Sequence, residues 1–381
     1  MEALPQNPAD FWQGFVSNTV IGSSHNLMLC QERGKTVTYR SYIKPTDYTG
    51  RLWKFWYGNT VDSTFADGSI SKANQSGGRW TICAAYAAAS AGPDSVLSSV
   101  TPVTFGGRPV KEVQPDECFW SDEIALCVPE GQYLVFTWAI ASPPEEAGFI
   151  PFTPDSQIPC FVAEGDCAAA ADNTGFAFDV NAVKPNLFAV QKQNVRRLGF
   201  LGDSITQGCG TSNDGYAFWS GRIGLALQDT YAAWNLGLGY ARAKDAATGG
   251  RWLQKASLCD VVTICLGVND LLSEPDSAEE MTANLCSIVR QLKQRNPVLS
   301  IILFTLPPLH DKTDRLPVWE AVNRRIRSGE IPGVDRMFDI AAVLSCPPPH
   351  AYLSKFGDLH PDDRGGAAVA DAFLRWSAPI L

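Results

Sequence analysis

"RRLGFLGDSITQGCG", residues 196–210, ends an apolar, strand-like run on the small polar turn Gly202-Asp203-Ser204. Further short apolar runs of buried-strand type follow it: "YAAWNLG" (231–237), "DVVTICLG" (260–267), "LSIILFT" (299–305) and "VDRMFDI" (334–340). Segments of helical period lie between them. The clearest is "DSAEEMTANLCSIVRQLKQRNP" (276–297), with Met281, Leu285, Ile288, Val289 and Leu292 on one face. Ser277 and Glu280 make a capping box there, and Pro297 stops the helix. Strands alternating with helices predict an α/β fold, a parallel sheet with helices on both faces. Sites in such sheets form where loops leave the carboxyl ends of the strands. Four loops are therefore singled out: after Leu201, Leu236, Leu266 and Thr305.

Upstream the grammar is different. "KTVTYRSYI" (35–43) and "GQYLVFTWAI" (131–140) are rich in β-branched and aromatic residues, and "TFGGRPV" (104–110) reads as a hairpin turn. Short strands at this spacing predict an all-β sandwich or jelly roll. The Ala-rich "AAYAAASAG" (84–92) is the one segment with a helical alternative, and residues 168–186 read as loop. Two domains are expected, a β-sandwich over 1–190 and an α/β domain over 195–381.

The net charge of −9 sits mostly in the first half: residues 1–195 hold 12 Lys/Arg against 20 Asp/Glu, and residues 196–381 hold 19 against 20. An acidic surface disfavours nucleic acid and anionic membranes as partners. No apolar run is long enough to span a bilayer, and the first residues lack the pattern of a signal peptide. The 11 cysteines are scattered without zinc-site spacing, which reads as reduced thiols in a cytoplasmic protein. Oligomeric state is not legible.

The candidate chemistry lies on the loops. Ser204 is either an N-capping serine or a nucleophile whose own N–H helps to bind an oxyanion. Asn269, in Gly267-Val268-Asn269-Asp270, either forms an Asx turn or aims its amide at developing negative charge. His360, in "FGDLHPDDRGG" (356–366), precedes a last helix expected over Ala367 to Trp376. The other histidines, His25, His310 and His350, have loop-like neighbours and no constellation.

Taken in order, these blocks resemble the SGNH hydrolases, or GDSL-type esterases, whose catalytic domain is a flavodoxin-like three-layer fold. The matching residues are Gly202-Asp203-Ser204-Ile205-Thr206, Gly267-Val268-Asn269-Asp270 and His360-Pro361, over about 196–381. The resemblance implies a serine esterase that works through an acyl-enzyme, without metal or cofactor. Ser204 is the implied nucleophile and His360 the base; the oxyanion donors are Ser204, Asn269 and a backbone N–H of Gly239 or Tyr240. Two departures stand out. The family's second block carries a glycine where this chain has Tyr240, and its acid lies three residues before the histidine, where this chain has Gly357. Asp358 is only two residues before, so either Asp358 or a backbone carbonyl orients His360.

Residues 103–138 resemble the β-sandwich that precedes the catalytic domain in some bacterial SGNH proteins, several of them carbohydrate acetyl esterases. The expected substrate is accordingly an acetylated oligosaccharide or another small ester. The rivals are a lipid-directed esterase (lysophospholipase, lipase or thioesterase) and a catalytically inactive carbohydrate-binding protein. Trp53 and Trp56 in "RLWKFWYGN" (51–59) read as packing residues, with a sugar-stacking platform as the alternative.

Overall fold

The computed structural model describes residues 4–62, 73–154, 157–273, 277–309, 313–345 and 360–378. His310, His350, Gly357 and Asp358 lie outside them.

The α/β part is built on a five-stranded parallel sheet. Its strands are β1 (Arg196–Gly202), β2 (Tyr231–Gly237), β3 (Val261–Cys265), β4 (Ser300–Phe304) and β5 (Arg336–Phe338), in the spatial order β2-β1-β3-β4-β5. That is the doubly wound order of flavodoxin-like sheets, and its switch point lies beside β1. β2 and β3 are buried along their whole length, as strands covered on both faces must be. The helix Ala278–Arg295 carries the expected capping box and buries Met281, Leu285, Ile288, Val289 and Leu292. The last helix, Asp363–Ser377, starts earlier than expected because the Asp362 side chain caps it, accepting from the N–H groups of Arg364 and Gly365.

The N-terminal part is a sandwich of antiparallel sheets. One sheet orders the strands Phe15–Ser17, Leu187–Gln191, Leu52–Gly58 and Cys118–Trp120. The other centres on Tyr133–Ala141, flanked by Thr36–Ile43 and Trp80–Ser90. Aromatic rings from the two sheets meet between them: Phe55 lies 4.7 Å from Phe136, and Tyr57 lies 5.5 Å from Trp138. The Ala-rich segment is part of the strand Trp80–Ser90, since small side chains fit between close neighbours on both flanks. Gly106 and Gly107 turn the chain at positive φ between the bridged residues Phe105 and Arg108. Trp53 and Trp56 are both buried, which removes the stacking-platform reading.

The two parts share a continuous core. The short helix Pro8–Trp12 wedges Phe11 and Trp12 between them. The Trp12 ring lies 5.0 Å from Trp234 of β2, and its Nε1 donates to the Leu258 carbonyl at 2.9 Å. Phe11 lies 5.4 Å from both Trp56 and Trp120. Beneath the sandwich, Lys255 of the helix Arg251–Ala256 pairs with Asp62 at 2.6 Å, with both side chains almost fully buried. No described helix is long and apolar enough to cross a membrane.

Candidate active site

The turn after β1 gives the capping role to the residue before Ser204. Asp203 is the N-cap of the helix Ser204–Gln207, its Oδ1 accepting from the Ile205 N–H at 2.9 Å. Ser204 is the first helical residue, so its hydroxyl is not consumed by capping. That hydroxyl lies 2.8 Å from Nε2 of His360. The half-buried His360 comes from the segment just before the last helix, 156 positions away in sequence. Asp363 fixes the start of this helix to the Ser204 loop region by accepting from the Ser212 N–H at 2.7 Å.

The carboxyl ends of β1 and β2 are held very close. A Cβ on Gly237 would sit 2.3 Å from the Gln207 nitrogen, so only glycine fits there. Asn235, buried at the end of β2, receives the Gly237 N–H on Oδ1 at 2.8 Å. Its amide donates to Val20 O at 3.1 Å and Thr206 O at 3.2 Å, which ties β2 both to the nucleophile's helix and to the N-terminal part.

The turn that follows, Leu238 to Ala241, closes with the Ala241 N–H on the Leu238 carbonyl at 3.2 Å. Tyr240 occupies its third position at φ 62°, the left-handed conformation that a type II turn requires there and that favours glycine. This accounts for the glycine of the family pattern, and a tyrosine holds the same shape at a cost of about 1–2 kcal/mol. Tyr240 is 53% exposed. Within residues 237–241, Gly237 donates to Asn235, Leu238 to the Gly202 carbonyl and Ala241 to Leu238. Gly239 and Tyr240 are left as the turn's uncommitted N–H groups among the described residues.

Asn269 lies in the helix Val268–Ser273 directly after β3 and donates from Nδ2 to the Ala241 carbonyl at 2.9 Å. It is not an Asx turn: its amide reaches across to the turn of Tyr240. Its neighbour Asp270 receives the N–H groups of Ala243 and Lys244 at 2.8 and 2.9 Å, capping the next segment of the same loop. The structure thus brings Ser204, His360, Asn269, Gly239 and Tyr240 to one edge of the sheet.

Burial pushes the Asp203 carboxyl up to about 7, and the Asp270 carboxylate adds to the rise against the opposing Ile205 N–H. A second cluster escaped the sequence reading. His25 does lie in a loop, but it is buried there, its backbone N–H donating to Asp62 Oδ2 at 2.8 Å and its Nε2 lying 3.0 Å from Asn186 Nδ2. Burial, with help from the charges of Lys255 and Lys184, holds its pKa well below the ordinary value, so the ring is neutral. No periodicity marks this histidine, because its partners Asp62 and Asn186 lie 37 and 161 residues away.

A serine–histidine pair at the carboxyl edge of a flavodoxin-like sheet, with backbone and amide donors around it, is the kind of arrangement that serine hydrolases of the acyl-transfer class use. Residues 200–368 match the GDSL-like lipase/acylhydrolase family, and the parallel-sheet part of the chain is a domain of that kind, preceded by a β-sandwich. Ester hydrolysis is accordingly its class of reaction. Among solved structures, a lipolytic G-D-S-L family protein from Veillonella parvula is 15% identical, covering 47% of this chain and 96% of its own at a TM-score of 0.41. A family two carbohydrate esterase from Clostridium thermocellum, solved with cellohexaose, is 15% identical over 96% of this chain and 98% of its own, with a TM-score of 0.40. A carbohydrate esterase family 2 enzyme with a carbohydrate-binding domain from Corynascus thermopiles (Myceliophthora fergusii) is 12% identical over the same shares, also at 0.40. No curated protein matches the chain significantly.

Proposed function

We propose that the protein is a serine esterase that removes acetyl or other short acyl groups from a carbohydrate, with the sandwich over 1–190 and the catalytic domain over 195–381. The observation that carries the catalytic part is the 2.8 Å contact between Ser204 Oγ and His360 Nε2. His360 takes the Ser204 proton as Oγ attacks the ester carbonyl. The tetrahedral oxyanion is received by the N–H of Ser204, an N–H of the Tyr240 turn and the amide of Asn269. His360 then returns the proton to the leaving hydroxyl, and water repeats the cycle to free the acid. An acceptor for Nδ1, either Asp358 or a carbonyl of the same loop, orients the ring. The pH–rate profile of Asp358→Asn separates these two.

The carbohydrate assignment is supported by the sandwich-plus-hydrolase layout and by the Tyr240 ring. That ring offers an exposed apolar face beside hydrogen-bond donors, a pairing suited to a sugar. The ten described cysteines are free thiols, which supports a cytoplasmic site of action. The test is acetate release from a panel of acetylated oligosaccharides, wild type against Ser204→Ala, beside a chain-length series of p-nitrophenyl esters. Preference for octanoate over acetate overturns the carbohydrate reading in favour of a lipid. Failure of Ser204 to react with a fluorophosphonate overturns the esterase reading in favour of a binding protein.

A further inference from the structure

The turn that presents the oxyanion donor is gripped from two sides. Asn269, on the catalytic domain, holds the carbonyl of Ala241 at 2.9 Å. On the other side a residue of the N-terminal part, Asn26, donates from Nδ2 to the carbonyl of Gly239 at 3.1 Å. Asn26 is buried, and its position is set by the sandwich. Its own N–H donates to the Phe152 carbonyl at 3.2 Å, where the ribbon of Leu27–Gln31 with Gly148–Phe152 begins. Three residues earlier the chain passes over β2, where the N–H and hydroxyl of Ser23 both donate to the Asn235 carbonyl, at 3.0 and 2.7 Å. Asn26 is therefore a fixed point against which the turn is set.

The Gly239 carbonyl and the Tyr240 N–H belong to one planar trans peptide, and they point in opposite directions. Whatever holds the carbonyl also aims the N–H. We propose that Asn26 is a positioning residue for catalysis: by drawing the Gly239 carbonyl toward the sandwich, it turns the Tyr240 N–H outward as the oxyanion donor of this turn. Two features agree with this. Tyr240 lies in the left-handed region, so the turn has a standing tendency to relax, and an external hold on its central peptide counters it. A Cβ on Gly239 would come within 3.1 Å of Asn26 Nδ2, so the glycine keeps that approach open. The sandwich is then part of the catalytic apparatus, contributing the orientation of a donor from the other domain.

The inference rests on Ser204 being the nucleophile, which fluorophosphonate labelling of the wild type establishes separately. Its test uses the full chain carrying Asn26→Ala or Asn26→Asp, with p-nitrophenyl acetate as substrate and phenylboronic acid as a probe whose tetrahedral adduct on Ser204 occupies the oxyanion position. Losing an oxyanion donor outright costs roughly 10²–10³ in kcat, and a donor that is present but misaimed should cost less, roughly ten- to fiftyfold. Asn26→Ala should show that loss in kcat and a matching rise in the boronate Ki. Fluorophosphonate titration should still count the same fraction of labelled sites, which excludes misfolding as the cause. Asn26→Asp puts a carboxylate against the Gly239 carbonyl, and only its protonated form can donate there. Its activity relative to wild type should therefore rise as pH falls from about 8 to about 5.5, as expected for a buried carboxyl that regains a proton. A folded Asn26→Ala with kcat within threefold of wild type overturns the proposal. So does a boronate Ki that stays put while kcat falls. If Asn26→Ala does not fold, a pH-independent Asn26→Asp to wild-type ratio overturns it.

Discussion

Replacing Lys255 by methionine should destabilise the protein by about 3–5 kcal/mol. The Nζ–Oδ2 distance to Asp62 is 2.6 Å, and the two side chains are 1% and 0% exposed. At an effective dielectric of about 20 the attraction at that distance is about 6 kcal/mol, and desolvation of the two ions offsets most of it. Truncating the lysine removes only the attraction. Asp62 is left with one amide donor, the N–H of His25, while its Oδ1 has no partner among the described residues. A loss of about 4 kcal/mol is roughly a thousandfold in the folding equilibrium. Equilibrium urea unfolding followed by tryptophan fluorescence reads it directly. The companion variant Asp62→Asn/Lys255→Met keeps an oxygen for the His25 N–H and should recover most of the loss. A single-variant loss below about 1 kcal/mol, or a double variant no better than the single, would refute the reasoning that this pair is desolvated and balanced.

Asn269→Ala should lower kcat on a nitrophenyl ester by roughly 10²–10³ with the fold intact, and near-full activity would remove Asn269 from the oxyanion site. His25 is neutral in the folded chain and has its ordinary pKa of about 6.5 when unfolded, so its contribution is full above that pH and is lost as pH falls below it, by up to about 1.4 kcal/mol per pH unit. Urea midpoints at about pH 7.5 and 5.5 should show this drop, and His25→Asn should flatten it. Burial lowers the Lys184 pKa to about 8, with no ion pair among the described residues, so the charge it carries at neutral pH opposes folding. Lys184→Met should therefore raise stability at pH 7 by about 1–3 kcal/mol, measured by the same unfolding curves.

Much of the architecture is written locally, in signals that need no partner. The helix Ala278–Arg295 declares itself through its capping box and apolar stripe, and the strands of the parallel sheet through short apolar runs. The blocks around Ser204 and Asn269 directly follow parallel strands, but each is weak alone, and with His360-Pro361 they become legible only through their resemblance to the GDSL-type pattern. Contacts made across the chain are not legible in that way. Asp203, rather than Ser204, caps the helix, because which of two adjacent polar residues turns inward depends on where the strand ends. Asn26 meets Gly239 across 213 positions, and nothing in the neighbouring residues announces it. His25 sits in a polar-looking stretch, "GSSHN", that is buried only because two domains close over it. The Ala-rich strand was ambiguous because alanine fits either period, and pairing on both sides decided it.

The wedge of Phe11 and Trp12 has a spectroscopic consequence. Trp12 and Trp234 belong to different parts of the chain, yet their rings lie 5.0 Å apart at 76° to one another. Such a pair is a chiral chromophore only while the two parts stay docked. The share of the near-ultraviolet circular dichroism that this pair supplies is therefore lost when the joint opens, while pairs inside each part, such as Tyr57 with Trp138, keep theirs and the far-ultraviolet signal reports the secondary structure on either side. A partial loss of the near-ultraviolet signal, with the far-ultraviolet signal intact and the pairs inside each part still contributing, would mark separation of the two halves before either had melted.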